Sequence, residues 1–170
     1  MLDIQAISAM DRDRFTATLG PVFEHSPWIA ERAWDARPFA DVPVLLAAMV
    51  AAIRAASPEE RLALIRAHPD LAGQAARAGA ITAESRGEQG GAGLDQLTEA
   101  EFARFDRLNH AYREKFGFPF VIAVRGLGKT QILDAFERRL GNDRATEMDT
   151  AVEQVATIGR MRLDQLLGEA

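Results

Sequence analysis

The sequence predicts an all-α fold: a single-domain, multi-helix bundle of about eight helices. Three observations carry that prediction. Alanine, leucine, arginine and glutamate dominate, and β-branched runs are scarce. Apolar residues recur at spacings of three, four and eight rather than in alternation. Two capping boxes open helical segments, which is how a chain built of helices punctuates itself. The chain has 170 residues, 48% of them hydrophobic, enough to bury one good core, so residues 1–170 are expected to form one domain.

Helices are expected at about 11–19, 27–35 and 41–55. In the second of these, Ser26 reads as the cap and Pro27 as the first helical residue; Trp28 and Trp34 read as core. Ser57-Pro58-Glu59-Glu60 combines a serine cap, a proline at the first position and a glutamate three residues after the cap. Its helix should run to about Ala67, with His68 closing it. A short helix is expected at 73–79. Thr98-Glu99-Ala100-Glu101 is the second capping box and opens a helix to Lys115 or Phe116, stopped by Gly117. Helices at 129–140 and 143–167 complete the set. In the last, Met148, Val152, Val155, Leu163 and Leu166 define the expected buried face.

Composition excludes several classes. Net charge is −5 and no Lys/Arg-rich block appears, so no nucleic-acid partner is expected. The chain has no cysteine, which rules out disulfides and thiolate metal sites and fits a reducing compartment. The longest apolar stretch, Val42 to Ile53, is too short to span a bilayer, so no membrane partner is expected. Met1-Leu2-Asp3-Ile4 does not read as a signal peptide and Gly168-Glu169-Ala170 is not a peroxisomal tail. A cytoplasmic protein is expected.

Polar chemistry gathers in two short stretches. In His68-Pro69-Asp70-Leu71-Ala72-Gly73, proline pushes His68 out of the α region and sets the imidazole at a helix end. The helix dipole there favours imidazolium, which suits a proton donor near neutral pH and equally suits a purely structural cap. In Ser85-Arg86-Gly87-Glu88-Gln89-Gly90-Gly91-Ala92-Gly93, a helical conformation puts Ser85, Glu88 and Gln89 on one face. The glycines that follow would let backbone approach a ligand. The plain alternative is a solvated helix face running into a loop.

Phe118 to Val124 is the strongest β-branched and aromatic run. One strand cannot make a sheet, so the run is expected to be extended or briefly helical, and buried. Arg125 at its end is placed to pair with a carboxylate. Ala123-Val124-Arg125-Gly126-Leu127-Gly128-Lys129-Thr130 fits a relaxed phosphate-loop pattern, with alanine where the strict form has glycine. The several parallel strands and the magnesium-holding carboxylate of such a domain are missing, so nucleotide binding is not expected. A metal set of His68, Asp70 and Glu88 can be drawn but follows no motif, and no metal is expected.

These stretches, in order, resemble the 2-oxo-4-hydroxy-4-carboxy-5-ureidoimidazoline (OHCU) decarboxylase family. The resemblance rests on Glu24-His25-Ser26-Pro27-Trp28-Ile29-Ala30, His68-Pro69-Asp70-Leu71, Ser85 through Leu94, Asn109-His110-Ala111-Tyr112-Arg113-Glu114-Lys115-Phe116-Gly117-Phe118-Pro119-Phe120 and Val121 to Gly126. Glu147 and the stretch from Ile158 to Leu163 extend it. The resemblance implies an all-α, usually dimeric, cofactor-free enzyme that converts OHCU to (S)-allantoin and carbon dioxide in urate catabolism. It implies His68 and Glu88 as catalytic residues. It implies substrate contacts at Pro69, Ser85, Arg86, Gly87 and Gln89, and at Phe120, Val121, Ile122, Ala123 and Val124, with Arg125 just beyond. Gly90 departs from a frequent alanine. Two other classes remain open from the residues: a different lyase or hydrolase using a His/Glu pair, and a non-catalytic helical interaction module.

Overall fold

The computed structural model of the chain describes residues 2–168 and is helical throughout its regular parts. Ten α-helices are present among the described residues: α1 (Ile4–Ser8), α2 (Arg12–Leu19), α3 (Trp28–Ala33), α4 (Val42–Ala55), α5 (Pro58–Arg66), α6 (Gln74–Arg77), α7 (Ala83–Gly91), α8 (Glu99–Phe116), α9 (Lys129–Leu140) and α10 (Arg144–Leu167). No strand occurs among the described residues. The all-α expectation therefore holds, with two short helices, α1 and α7, beyond the eight outlined on the sequence. The chain packs as two compact units. One takes the residues up to Ala67 and those from Val155 on; the other is His68–Gln154.

Local rules set the boundaries. Both capping boxes form: Ser57 and Glu60 exchange hydrogen bonds at the start of α5, and Thr98 and Glu101 do so at α8. Gly117 ends α8 at φ 78°, the left-handed conformation glycine adopts without steric cost. Asp3, Asp11 and Asp41 cap α1, α2 and α4 through their side chains. The start of α3 differs from expectation. Its cap is Pro27, with no side-chain capping bond, because the Ser26 hydroxyl donates instead to the Glu24 carbonyl at 2.8 Å. The helix expected at 27–35 stops at Ala33 and tightens into a 3-10 turn over Trp34–Ala36. The helix expected at 73–79 is a single turn.

In the first unit, Phe15, Leu19, Ile29, Val42, Leu45, Met49, Ile53, Val155 and Leu163 are fully buried. Trp28 and Trp34 are only half-buried, against expectation. Arginines roof them: Arg32 lies 4.6 Å from the Trp28 ring centroid, and Arg37 lies 3.6 Å from that of Trp34. An indole satisfied by a guanidinium on its face and a carbonyl at its edge does not require a core position. The Trp34 Nε1 donates to the Met10 carbonyl at 3.1 Å.

The face of α10 also differs. Its buried side chains include Glu147, Ala151, Val155, Ile158, Arg162 and Leu163, whereas Met148 and Val152 are half-buried and Leu166 is exposed. The stripe is rotated because two charged residues lie within it, and hydropathy scores those as solvent-facing. Arg162 reaches Glu24 at 3.0 Å and donates to the Val22 carbonyl at 3.2 Å. Such a pair tolerates burial because each charge meets the other.

The second unit closes around Tyr112. Its ring centroid lies 4.5–5.9 Å from those of Phe116, Phe118, Phe120 and Phe136. Phe120 stacks on Phe136 at 3.9 Å. The motif at 123–130 follows no strand, and its Lys129 is committed to Glu101 at 2.6 Å. Gly128 in it is the cap of α9. No single helix among the described residues is long and apolar enough to cross a membrane.

Two stability predictions follow from the first unit. A Cβ on Gly159 would lie 2.6 Å from the buried Phe23 ring. Gly159→Ala is expected to lower stability by about 1–2 kcal/mol net, overpacking outweighing the gain in helix propensity, read as a lower Tm. Glu60, hydrogen-bonded by Arg32 and by the Ser57 N–H, has its carboxyl pulled down to about 2. A depressed carboxylate stabilises above its unfolded pKa and loses that contribution as pH falls through the folded value. The stability gap between wild type and Glu60→Gln, measured by denaturant titration, should therefore be present at neutral pH and close between about pH 5 and pH 2.

Candidate active site

The site residues named above lie in the second unit, and three segments carry them. The first is the loop after α5. That helix ends at Arg66 with Ala67 as its cap, so His68 stands one residue beyond the cap rather than closing the helix. It is buried, at 5% exposure. Pro69 and Asp70 beside it are half-buried.

Side chains pin the next three residues one by one. Asp70 accepts from Arg113 Nε at 2.8 Å through its carboxylate and from Gln89 Nε2 at 3.3 Å through its carbonyl. The Leu71 carbonyl accepts from Asn109 Nδ2 at 2.8 Å. The Ala72 N–H donates to Gln89 Oε1 at 2.9 Å.

This pinning holds a strained backbone. Ala72 sits at φ +51°, a conformation that L-residues with a side chain rarely adopt. Gly73 follows at an ordinary φ but in a tight space, since a Cβ there would meet the Asp70 Cβ at 2.9 Å. The loop keeps its path because hydrogen bonds to buried side chains outweigh a cost of about 1–3 kcal/mol for such strain.

The second segment is α7. The Thr82 hydroxyl caps it by accepting from the Ser85 N–H at 3.2 Å. The conditional expectation of a helix here holds, so Ser85, Glu88 and Gln89 share a face. Ser85 and Gln89 are buried and Glu88 is half-buried. The Gln89 carboxamide is partly committed to the 70–72 loop, which leaves it one N–H and one lone pair for other partners. Arg86 and Gly87 are exposed and turned about 100° and 200° from Ser85 around the helix. Arg86 donates to the Gly79 carbonyl at 2.8 Å and does not join the shared face. A cavity of about 240 Å³ is lined by Ala72, Arg77, Arg86, Gln89, Gly90 and Phe102 among others; His68, Ser85 and Glu88 do not line it.

The third segment, 118–124, is irregular, as its lack of strand partners requires. Phe120, Val121, Ala123 and Val124 are buried, Ile122 is half-buried and Arg125 is exposed. Behind it lies a buried polar network. Glu147, 0% exposed, takes Arg139 at 3.0 Å, Asn142 Nδ2 at 2.9 Å and the Tyr112 hydroxyl. Burial and the bond to Glu147 push the Tyr112 phenol well above its ordinary pKa, so it stays a donor. Arg139 then donates from Nη1 to the Val121 carbonyl at 2.7 Å and lies 4.4 Å from the Phe120 ring centroid.

Sequence reasoning assigned no role to Asn109, Arg113, Arg139 or Gln154. Arg139 sits in Glu137-Arg138-Arg139, which reads as a solvated helix end; only its tertiary partner, Glu147, reveals it. Among the described residues no three His, Asp or Glu groups gather as a metal-ligand set, so the one drawn from His68, Asp70 and Glu88 is not formed.

The order of segments and their chemistry match a known family, with the OHCU decarboxylase model aligning to residues 8–164. The chain belongs to the OHCU decarboxylase family. A family member from Haloferax volcanii, 2-oxo-4-hydroxy-4-carboxy-5-ureidoimidazoline decarboxylase, is 44% identical over 95% of this chain and 94% of its own length. One of the same name from Amia calva is 40% identical over 98% and 95%. Among solved structures, (S)-allantoin synthase superposes with a TM-score of 0.79 at 30% identity, covering 98% of this chain and 54% of that one. An OHCU decarboxylase crystallised in the presence of (S)-allantoin superposes at a TM-score of 0.70 and 19% identity, a likeness of fold.

The pinned loop of this OHCU decarboxylase family member is open to a paired test. Gly73→Ala should cost about 1–3 kcal/mol by forcing Asp70 aside. Ala72→Gly should leave stability near wild type, because relief of the positive φ offsets the added freedom of the unfolded chain. Tm values of the two variants check both.

Proposed function

We propose that this chain decarboxylates OHCU to (S)-allantoin and carbon dioxide, as a carbon–carbon lyase of urate breakdown. One observation carries the reading. The family match runs over residues 8–164, and relatives named for this activity align with nearly the whole chain at 37–44% identity. Because that match runs through both compact units, residues 1–170 are taken as one functional domain.

The chemistry asks for three things. The bond from the ring carbon to the carboxylate breaks, carbon dioxide leaves, and the electron pair passes into the ring's adjacent imine. A proton then adds to one face of the carbon bearing the ureido group, which sets the (S) configuration. The substrate's own imine and carbonyl accept the electrons, so the scheme uses no cofactor.

His68 is assigned as the proton donor, a task that suits a group titrating near neutral pH and is worth roughly 10²–10⁴ in rate. Glu88 is assigned to orient the imidazole and favour its charged form. Ser85 and the remaining valences of Gln89 are assigned to the substrate's polar edge, with Pro69 and the 120–124 segment as its apolar surround. Excluding water there strengthens each polar contact. Arg86 and Gly87, in the same turn of α7, are assigned the substrate contacts that the resemblance implies. Arg125, exposed beyond the segment, is assigned at most a role at the rim.

The buried, pinned loop around His68 and the burial of Ser85 and Gln89 support these assignments. A cytoplasmic homodimer completes the proposal; it rests on the family resemblance and the lack of cysteine, and sedimentation of the purified protein measures the dimer.

The test generates OHCU in place from urate with the two preceding enzymatic steps and follows circular dichroism. Spontaneous decay gives racemic allantoin, so a growing signal of one sign is expected with the protein and none without it. No enantiomeric excess above background would falsify the activity. His68→Ala and Glu88→Ala should each lower the rate by about 10² or more with Tm near wild type. Near-full activity in either would remove that residue's role while leaving the function in place.

A further inference from the structure

The 121–123 backbone is gripped twice from the protein side. Arg139 Nη1 donates to the Val121 carbonyl at 2.7 Å, and Gln154 Oε1 accepts from the Ala123 N–H at 3.0 Å. These bonds hold two successive peptide units, 121–122 and 122–123. Both are trans, the one cis bond among the described residues being Arg37–Pro38. In a trans peptide the C=O and the N–H point in opposite directions. With the Val121 oxygen turned to Arg139, the N–H of Ile122 faces away from it. With the Ala123 N–H turned to Gln154, the Ile122 carbonyl faces away from that.

Ile122 thus turns its N–H away from Arg139 and its C=O away from Gln154. Among the described residues neither has a hydrogen-bond partner, and Ile122 is half-buried between buried neighbours. A backbone donor and acceptor left open in a half-buried segment are available to a ligand that displaces water from them. The grip itself is rigid on the Arg139 side. The guanidinium is fixed by Glu147, which is fixed in turn by Tyr112 and Asn142.

We propose that Arg139 and Gln154 are positioning residues. They hold the two peptides so that the Ile122 N–H and C=O meet an amide or ureide edge of the substrate as a donor–acceptor pair. The proposal rests on the reading that 120–124 faces substrate. It adds the two side chains that set the segment's orientation, neither of which touches the reacting atoms.

Gln154→Leu removes the acceptor at nearly constant volume, Gln154→Glu restores an acceptor, and Arg139→Lys keeps the charge but loses the planar fork. Two measurements apply to each folded variant: steady-state kinetics with OHCU generated in place, and amide hydrogen exchange resolved at Ile122 and Ala123. For Gln154→Leu and Arg139→Lys the expected result is a KM about tenfold higher with kcat changed much less, together with faster exchange at the gripped peptides. The pH profile should stay where it is, because His68 is untouched. Gln154→Glu should return KM and exchange to near wild type.

A KM within twofold of wild type in a variant whose exchange has accelerated overturns the positioning role, and so does unchanged exchange in both variants. A variant that merely loses Tm, with KM intact in its folded fraction, counts against the proposal in the same way. If Gln154→Leu does not fold, Arg139→Lys carries the same test. If wild type yields no excess of (S)-allantoin, the substrate role falls with the activity; accelerated exchange would then still establish the grip, which separates the two failures.

Discussion

The second unit depends on one buried carboxylate. Glu147 is fully enclosed, and a lone carboxylate in that position would be prohibitively costly to desolvate. It is stable because Arg139, Tyr112 and Asn142 converge on it. Each partner carries a second structural duty. Tyr112 is the hub of the aromatic cluster, and Arg139 lies over Phe120 and holds the Val121 carbonyl. A single anion thus ties α8, α9 and α10 to the segment assigned to the substrate. Replacing the pair with apolar residues of similar volume would fill the space but leave the Val121 carbonyl and the path of the wall undetermined.

The loop after α5 is governed by the same logic at smaller scale. It has no regular secondary structure to satisfy its backbone, and it contains an alanine at positive φ. Side chains from α7 and α8 supply the missing partners: Gln89, Asn109 and Arg113. The backbone two to four residues after His68 is fixed by side chains 17–43 positions away in the chain. This makes sense for a residue assigned to deliver a proton to one face of a carbon, because stereochemistry requires a fixed donor.

Much of this was legible in the sequence, and for definite reasons. Helix boundaries follow from chemistry within four residues, so the boxes at Ser57 and Thr98 and the stop at Gly117 could be read directly. The shared face of Ser85, Glu88 and Gln89 follows from helical periodicity once Thr82 caps the segment. The errors about burial were of one kind. Trp28 and Trp34 were placed in the core, and the buried face of α10 was drawn through Met148, Val152 and Leu166. In each case a charged side chain found a partner that hydropathy does not score: arginine over an indole three or four residues away, Glu147 with Arg139, and Arg162 with Glu24 across the chain. Hydropathy sees a charge and not its partner.

By itself, then, the sequence determined the all-α class, nearly every long helix, and the identities of the groups available for proton transfer and binding, because these depend on local propensity and periodic pattern. Only the tertiary structure decided which charges are buried and which backbone groups are gripped. It also decided that Gln89 spends part of its amide on the His68 loop and that the Ile122 N–H and C=O have no partner among the described residues. Those outcomes depend on hydrogen bonds between residues far apart in the chain, and nothing in a linear pattern specifies where such partners meet.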